Sequence, residues 1–260
     1  MSGPGYVLRS YRSRMGSRFA SFGASYKETD LWIGVDPGSF SSRMEDFAAS
    51  RARTYRLELE SYIEERPEFA SSLVPIAADP DASQPETRPI VASMLAASAA
   101  AGVGPMAAVA GAVAAFVGLD LASEFGCRET VVENGGDVWL RFEEGIELSV
   151  FAGGSPLSER VGVSIPPPFS PLGVCTSSGS VGPSLSLGRA DAAMVAARDA
   201  ALADAWATAI GNAVSRPEDL DAALDLAEGR EGILSVLVIK GDRMGIRGAL
   251  PLKLFDLRSG

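Results

Sequence analysis

The sequence has 260 residues, 47% of them hydrophobic, so it can bury a sizeable core, and we expect one domain over residues 1–260. The formal net charge of -10 argues against a nucleic-acid partner, because affinity for a polyanion depends on clustered Lys and Arg. The chain has no histidine, which excludes Ser-His-Asp catalysis, Cys-His catalysis and histidine-bound metals, so any metal must be bound by oxygen atoms.

The N-terminal segment and the two cysteines bear on where the protein resides. Residues 1–18 contain a basic cluster without acidic residues, which predicts a flexible basic arm (Arg9, Arg12, Arg14 and Arg18). This segment lacks the apolar core of a secretory signal, so we expect a cytoplasmic protein. Cys127 and Cys175 lie far apart and form no C-x-x-C motif, which fits a reducing compartment and predicts neither a disulfide framework nor a zinc site.

The first half of the chain predicts a hairpin followed by helices. Aromatic and branched residues flank a polar turn near residues 27–30, and apolar residues then recur at helical spacing over residues 41–69, with Pro67 near the helix end. Residues 74–89 are rich in Pro and Asp and predict a loop. Residues 89–119 carry no charge, but they are mostly Ala, Gly and Ser and are interrupted at residues 102–105. We therefore expect two small-residue helices in a soluble core and no membrane span.

The second half predicts short strands around a second pair of helices. Strand-like runs occur at residues 131–140, 145–151, 161–165, 173–178 and 191–197. Asp199 is a plausible N-cap for the next helix, and Pro217 stands where another could begin. The chain closes with a hairpin turned at Gly241-Asp242. Strand pairs, a helix pair and strand pairs thus occur roughly twice, which favours an α+β fold over a doubly wound βαβ sheet.

The turn Asn134-Gly135-Gly136-Asp137 is the first candidate site. Asn-Gly and Gly-Gly are strong signals for a hairpin turn, because both tolerate positive φ. The alternative is functional: paired glycines let a nucleotide approach the backbone, while Asp137 directs a carboxylate at it. On local grounds the plain turn is favoured.

A second candidate is the turn at the end of a predicted strand, with three hydroxyls and a glycine (Thr176, Ser177, Ser178 and Gly179). Such a turn can present N–H and O–H donors to phosphate oxygens. Cys175 precedes it. A buried strand cysteine is favoured over a reactive thiol, because no histidine or neighbouring Lys is present in the sequence to lower its pKa.

Asp204 and Thr208 form the third candidate. They stand four residues apart and share one helix face, where both could bind one Mg²⁺, a cation that prefers oxygen ligands. The alternative is an Asp that favours the first helical turn and a Thr that bonds to its own helix.

Seven segments form a pattern when they are taken in chain order: YKETDL (26–31), YIEERPEF (62–69), AGVGPMAAVAGAVAAFVG (101–118), ENGGD (133–137), SPLSERVG (155–162), PLGVCTSSGSVGPSLSLGRADA (171–192) and DAALADAWATAIGN (199–212). This pattern resembles the ApbE-like superfamily, whose best-known members are Mg²⁺-dependent FAD:protein FMN transferases, and more closely its UPF0280 branch. The match to the transferases themselves is confined to the GGD turn, the TSSG turn and the D-x-x-x-T helix.

The resemblance implies a single domain with a duplicated strand-pair, helix-pair, strand-pair architecture like the tunnelling fold, with the ligand between the halves. By position it implies that residues 134–136 and the TSSG turn line a site for FAD or FMN, that Asp137 serves catalysis, and that Asp204 and Thr208 hold Mg²⁺. The chain departs from the transferases in two respects. It offers only Ala, Gly and Val near Ala110-Gly111, where they carry a lysine, and it lacks their His-x-x-Asp-Pro segment.

Three functions remain open. The first is an enzyme that binds a flavin or related nucleotide and cleaves the FAD diphosphate, with transfer of FMN or hydrolysis. The second is an accessory protein in sulfur or amino-acid metabolism that binds a small anionic, nucleotide-like ligand or a protein partner without chemistry; a homo-oligomer is possible in either case. The third is a sulfur carrier that uses Cys175.

Overall fold

The computed structural model describes residues 18–77, 88–179 and 190–256. In these ranges the strands are β1 (Ala20–Tyr26), β2 (Thr29–Val35), β3 (Thr130–Asn134), β4 (Asp137–Arg141), β5 (Ile146–Ser149), β6 (Val161–Ile165), β7 (Leu172–Ser177), β8 (Ala192–Ala197), β9 (Ile233–Lys240), β10 (Arg243–Gly248) and β11 (Leu252–Leu254). The α-helices are α1 (Arg43–Glu65), α2 (Glu68–Ser71), α3 (Pro89–Ala101), α4 (Val109–Phe125), α5 (Ala200–Ala213) and α6 (Leu220–Asp225).

Eight strands form one antiparallel sheet in the order β1-β2-β3-β4-β7-β8-β9-β10. Four hairpins supply these strands: β1 with β2, β3 with β4, β7 with β8, and β9 with β10. The other three strands form a separate sheet in the order β11-β6-β5. The prediction of an α+β fold with antiparallel strands is confirmed.

Two hydrophobic clusters lie on opposite faces of the large sheet. On one face, residues such as Val132, Trp139 and Cys175 pack against the helices, and we call this the helix face. On the other face, residues such as Val131, Leu140 and Val174 pack against the three-stranded sheet. Because successive side chains of a strand point to opposite faces, the face of any strand residue follows from its neighbours in these clusters.

The local signals in the sequence predict most of these elements correctly. The first hairpin turns at residues 27–28, and Asp199 caps α5 by accepting a hydrogen bond from the Leu202 N–H at 2.8 Å. Gly102 ends α3 in the left-handed conformation with φ +74°. The uncharged stretch thus forms two helices, as predicted.

The helix segment Pro105–Phe125 is long and apolar enough to cross a membrane by length and composition, and 56% of its most apolar window is buried within the described fold. The α4 portion packs on β3 and β4 and on the neighbouring helices. Burial against these elements accounts for its composition.

Arg18 belongs to the fold, although the basic cluster predicts it to lie in a flexible arm. Its guanidinium forms an ion pair with the Glu129 carboxylate and donates hydrogen bonds to the carbonyl oxygens of Glu144 and Gly145 at 2.7 and 2.9 Å. Arg18 therefore does not belong to a flexible arm. Residues 1–17, most of the predicted loop at 74–89, and the segment that follows Gly179 lie outside the described residues.

Gly118 allows α4 to lie directly on β4, since a Cβ atom at this position would overlap the ring of Trp139. We expect Gly118→Ala to lower the free energy of unfolding by about 1–3 kcal/mol, the usual cost of overpacking a core. Urea unfolding measures this. Gly154→Ala is the control, because a Cβ there meets no atom within 4 Å. Equal stability of the two variants would contradict the close packing.

Candidate functional site

The candidate residues gather at one end of the large sheet. The antiparallel register places the end of β3, the start of β4 and the end of β7 side by side, together with the start of β8 and the end of β9. We call this the turn end, because three hairpin turns lie there. Residues that are distant in sequence become neighbours through this register.

Asp137 and Asp204 approach each other on the helix face of the turn end. Asp137 begins β4 and shares the face of Trp139, two residues later. Asp204 lies on α5, which crosses β7. Both residues are buried, and the Asp204 carboxylate accepts a hydrogen bond from the Gly111 N–H at 2.9 Å. Two carboxyl groups from separate parts of the chain thus share one buried region.

The pKa of Asp204 is raised well above its ordinary value. Burial is the largest cause, because it disfavours the charged form, and the negative charge of Asp137 adds to it. The hydrogen bond from Gly111 opposes both by stabilising the carboxylate. Asp204 is therefore disposed to hold a proton unless a positive charge is brought to it.

Cys175 lies beside this pair and is fully buried. Its thiol donates to the carbonyl oxygen of Ala200 at 3.3 Å. Burial raises the pKa of the thiol, and the negative charges of Asp137 and Asp204 raise it further. The group therefore stays a neutral thiol, and these surroundings are opposite to those that make a cysteine reactive.

The turn from Asn134 to Asp137 is a two-residue hairpin loop. Gly135 has φ +67° and Gly136 has φ +111°, so the loop itself requires glycine at both positions. Asn134 ties the turn to α4, because its amide donates to the Ala110 carbonyl oxygen at 3.2 Å. A Cβ added at Gly135 meets no atom within 4 Å, so this side of the turn is open.

The turn after β7 contributes different groups at each position. The backbone N–H of Thr176 donates to the Asp137 carboxylate at 3.3 Å, while alternation directs the Thr176 side chain to the face opposite the helices. The Ser177 side chain lies on the helix face, where Gly211 of α5 is close to its hydroxyl. The Ser178 hydroxyl donates to the Asp191 carbonyl oxygen at 2.8 Å, and the Gly179 N–H bonds to the Ala190 carbonyl oxygen at 3.0 Å.

Thr208 lies one helical turn after Asp204 and is partly exposed. Together with Asp204 and Asp137 it provides oxygen atoms only. Among the residues that the structure describes, no three His, Cys, Asp or Glu side chains are grouped so that they could hold a metal ion. A cation here would therefore need water or ligand oxygens to complete its coordination, as Mg²⁺ commonly does.

Three participants in this region escape prediction from the sequence. Gly111 supplies the N–H that binds Asp204, and a Cβ at position 111 would overlap the Ala200 carbonyl. Lys240 and Asp191 form an ion pair at 3.4 Å beside the Ser178 turn. Gly111 and Asp191 lie within segments that resemble the UPF0280 branch, but neither carries a predicted role, and Lys240 lies in none of these segments. Only the strand register, together with side-chain alternation, could have indicated the last two.

The Asp204 pKa predicts an unusual pH dependence of stability in metal-free buffer. The folded protein binds this proton more tightly than the unfolded chain, so this group lowers the free energy of unfolding as pH rises from its ordinary pKa of 3.8 through the raised value. Asp204→Asn removes the charge and keeps an oxygen for the Gly111 N–H. We expect the variant to be more stable than the parent at pH 8 and the difference to shrink towards pH 4. Urea unfolding with EDTA measures it, and a difference independent of pH would contradict the assignment.

The positive φ of Gly135 predicts that a side chain at this position lowers stability through backbone strain, without a steric clash. Gly135→Ala should lower the free energy of unfolding by about 1–2 kcal/mol, because a residue with a Cβ is strained in the left-handed region. Gly135→Asn should lose less, since Asn tolerates that region. Urea unfolding of both variants measures which of them loses more stability. An Ala variant as stable as the Asn variant would contradict the required positive φ.

Comparisons with known proteins identify the family of this chain. The family described as AbpE bacteria matches residues 12–230. A UPF0280 protein of Methanococcus aeolicus is 40% identical over 231 residues, which cover 87% of this chain and 89% of the relative. A UPF0280 protein of Methanocaldococcus jannaschii is 38% identical over 231 residues, which cover 86% and 89%.

The fold also resembles a solved structure, the apo form of the flavinyl transferase ApbE of Pseudomonas stutzeri. The TM-score is 0.51 at 14% identity, over 88% of this chain and 94% of the other. At this identity the likeness concerns the fold alone. From the match over residues 12–230 and the identity to the archaeal relatives, we conclude that the chain belongs to the family described as AbpE bacteria and is related to the UPF0280 proteins.

Proposed function

We propose that the protein binds a flavin dinucleotide at the turn end and, with Mg²⁺, cleaves its diphosphate, transferring the FMN unit to a hydroxyl of an acceptor or to water. The observation that carries this proposal is the buried approach of Asp137 and Asp204, tied to the start of α4 by the Gly111 hydrogen bond. Membership of the family and the likeness of the fold to that of a flavinyl transferase suggest the flavin.

Mg²⁺ fits the residues that are present. Asp204 and Thr208 would hold it, with Asp137 nearby, and all three offer the hard oxygen ligands that this cation prefers. A divalent cation would also offset the burial and the like charge that raise the Asp204 pKa. The phosphate oxygens of the ligand and water would complete the coordination.

The chain's own groups have separate roles in this mechanism. The Ser177 hydroxyl would orient the diphosphate, from a turn that is held by the bonds of Ser178 to Asp191 and of Gly179 to Ala190, and Asp137 would accept the proton of the attacking hydroxyl. The hydroxyl oxygen bonds to the phosphorus on the flavin side, and the bond from that phosphorus to the bridging oxygen breaks. AMP leaves with the bridging oxygen. Bound Mg²⁺ supplies charge neutralisation on the phosphates.

The same proposal includes the finer architecture. We regard β1 to β4 with α1 to α4 as one strand-pair, helix, strand-pair unit, and β7 to β10 with α5 and α6 as a second, in the manner of the tunnelling fold. Asp137 comes from the first unit and Asp204 from the second. The ligand would then lie where the two units meet.

The second candidate is a protein that binds the nucleotide, or a partner, without cleaving it. The observation in its favour is the small number of cationic and acid-base groups: the chain has no histidine, and Gly111 leaves no room for a side chain. Fewer such groups would weaken stabilisation of the transition state more than binding of the ground state.

AMP release from FAD distinguishes the enzyme from the protein that binds without cleavage. With Mg²⁺ present, we expect the purified protein to release AMP, and Asp204→Ala and Thr208→Val to lower the rate by at least about 100-fold, as for loss of a group that stabilises transition-state charge. The exposed helical carboxylate of Asp221 provides the control variant Asp221→Ala, which should match the parent. Chromatography of the nucleotides measures the rate.

One result would contradict the assignment of Asp204, and another would contradict the enzyme. AMP release that survives Asp204→Ala would remove that residue from the site. A parent protein that releases no AMP, yet yields a bound nucleotide on denaturation and mass spectrometry, would favour the second candidate.

A further inference from the structure

We infer that Lys240 is the cationic side chain that binds the diphosphate of the ligand at the turn end, held in position by Asp191. This inference rests on the proposed function, because it requires an anionic ligand at that end of the sheet. It adds a binding residue that lies two strands away from the Ser177 turn.

Lys240 lies on the helix face at the turn end, where the proposed ligand would bind. It is the last residue of β9, in which Val236 and Val238 pack on the helix face, so alternation directs the Lys240 side chain to the same face. The same rule places Asp191 there, two residues before Ala193. Ser177 also lies on this face. All three therefore border the region beyond Asp137 and Asp204.

Hydrogen bonds connect Lys240 to the turn after β7. Its ammonium lies 3.4 Å from one carboxylate oxygen of Asp191, and the carbonyl oxygen of that same residue accepts the Ser178 hydroxyl at 2.8 Å. Adjacent strands lie about 4.8 Å apart, so β9 is about 10 Å from β7. A diphosphate oriented by the Ser178 turn would come within reach of the long Lys240 side chain.

The ion pair between Lys240 and Asp191 is long. Its 3.4 Å separation is longer than the 2.7 Å of the Lys27–Glu60 pair. Asp191 is also engaged elsewhere, because its other carboxylate oxygen accepts the Gly241 N–H at 2.6 Å. The Lys240 side chain is 22% exposed. An ammonium group has three donors, so binding a phosphate oxygen does not require Lys240 to leave Asp191.

The other described basic side chains near this end are directed elsewhere. Lys27 and Arg56 pair with Glu60 and Glu28 beside the β1–β2 turn, and β1 is four strands away from β7. Arg243 lies on the edge strand β10 and pairs with Glu218, and Arg216, which follows α5, pairs with Asp219. Within the described ranges, Lys240 is thus the basic side chain best placed to meet an anion beside Ser178.

The test compares ligands with and without phosphate. FAD and riboflavin are titrated into the full chain with Mg²⁺, and flavin fluorescence reports binding. Lys240→Gln should weaken FAD binding by about 10- to 100-fold, the effect of losing one hydrogen bond to a charged group, and should leave riboflavin binding unchanged. Lys240→Arg should restore FAD binding, and FAD affinity should depend less on salt in the Gln variant.

Lys253 provides a matched control. It pairs with Glu147 on the small sheet, so Lys253→Gln should bind FAD as the parent does. Equal FAD affinity of Lys240→Gln and the parent, or an equal loss for FAD and riboflavin, would overturn the role of Lys240 and leave the proposed function standing. A parent that binds neither FAD nor riboflavin would overturn both.

Discussion

The hydrogen bond from the Gly111 N–H to the Asp204 carboxylate is the contact on which the site depends. It joins residues 93 positions apart and connects the start of α4 to α5. Because it is buried, loss of one partner would leave the other unsatisfied, at a cost of about 1–3 kcal/mol. The bond is possible because residue 111 has no side chain; a Cβ there would overlap the Ala200 carbonyl.

A second close approach sets the height of α5 above the sheet. A Cβ on Gly173 of β7 would overlap Ala200, so glycine at 173 lets the start of α5 rest on the strand. Together with Gly111, this brings Asp204 to the level of Cys175 and Asp137. The position of the Asp204 carboxylate thus depends on Gly111 and Gly173, because the absence of a side chain at each allows the close packing.

The charge distribution links this geometry to chemistry. Burial and the neighbouring Asp137 make the ionised form of Asp204 costly, and Cys175 stays a neutral thiol beside them. Such a region favours an added cation, and an anionic ligand would need further positive charge nearby. Mg²⁺ and Lys240 would meet these two needs in the proposed function. The thiol-carrier hypothesis, in contrast, finds no support in the surroundings of Cys175.

The sequence by itself determined the elements, because hairpin turns, helix caps and apolar spacing are local signals. Gly135-Gly136, Gly241-Asp242 and the Asp199 cap could all be predicted from a few adjacent residues. The candidate residues of the turn end were identified from such signals and from a family resemblance. Their neighbours depend on the strand order β4-β7-β8-β9, which no local pattern encodes. Only the tertiary structure decided that Asp204 binds Gly111, that the Thr176 side chain turns away while its N–H faces Asp137, and that Lys240 lies beside the Ser178 turn. Register and packing set these contacts, and both arise when distant segments meet.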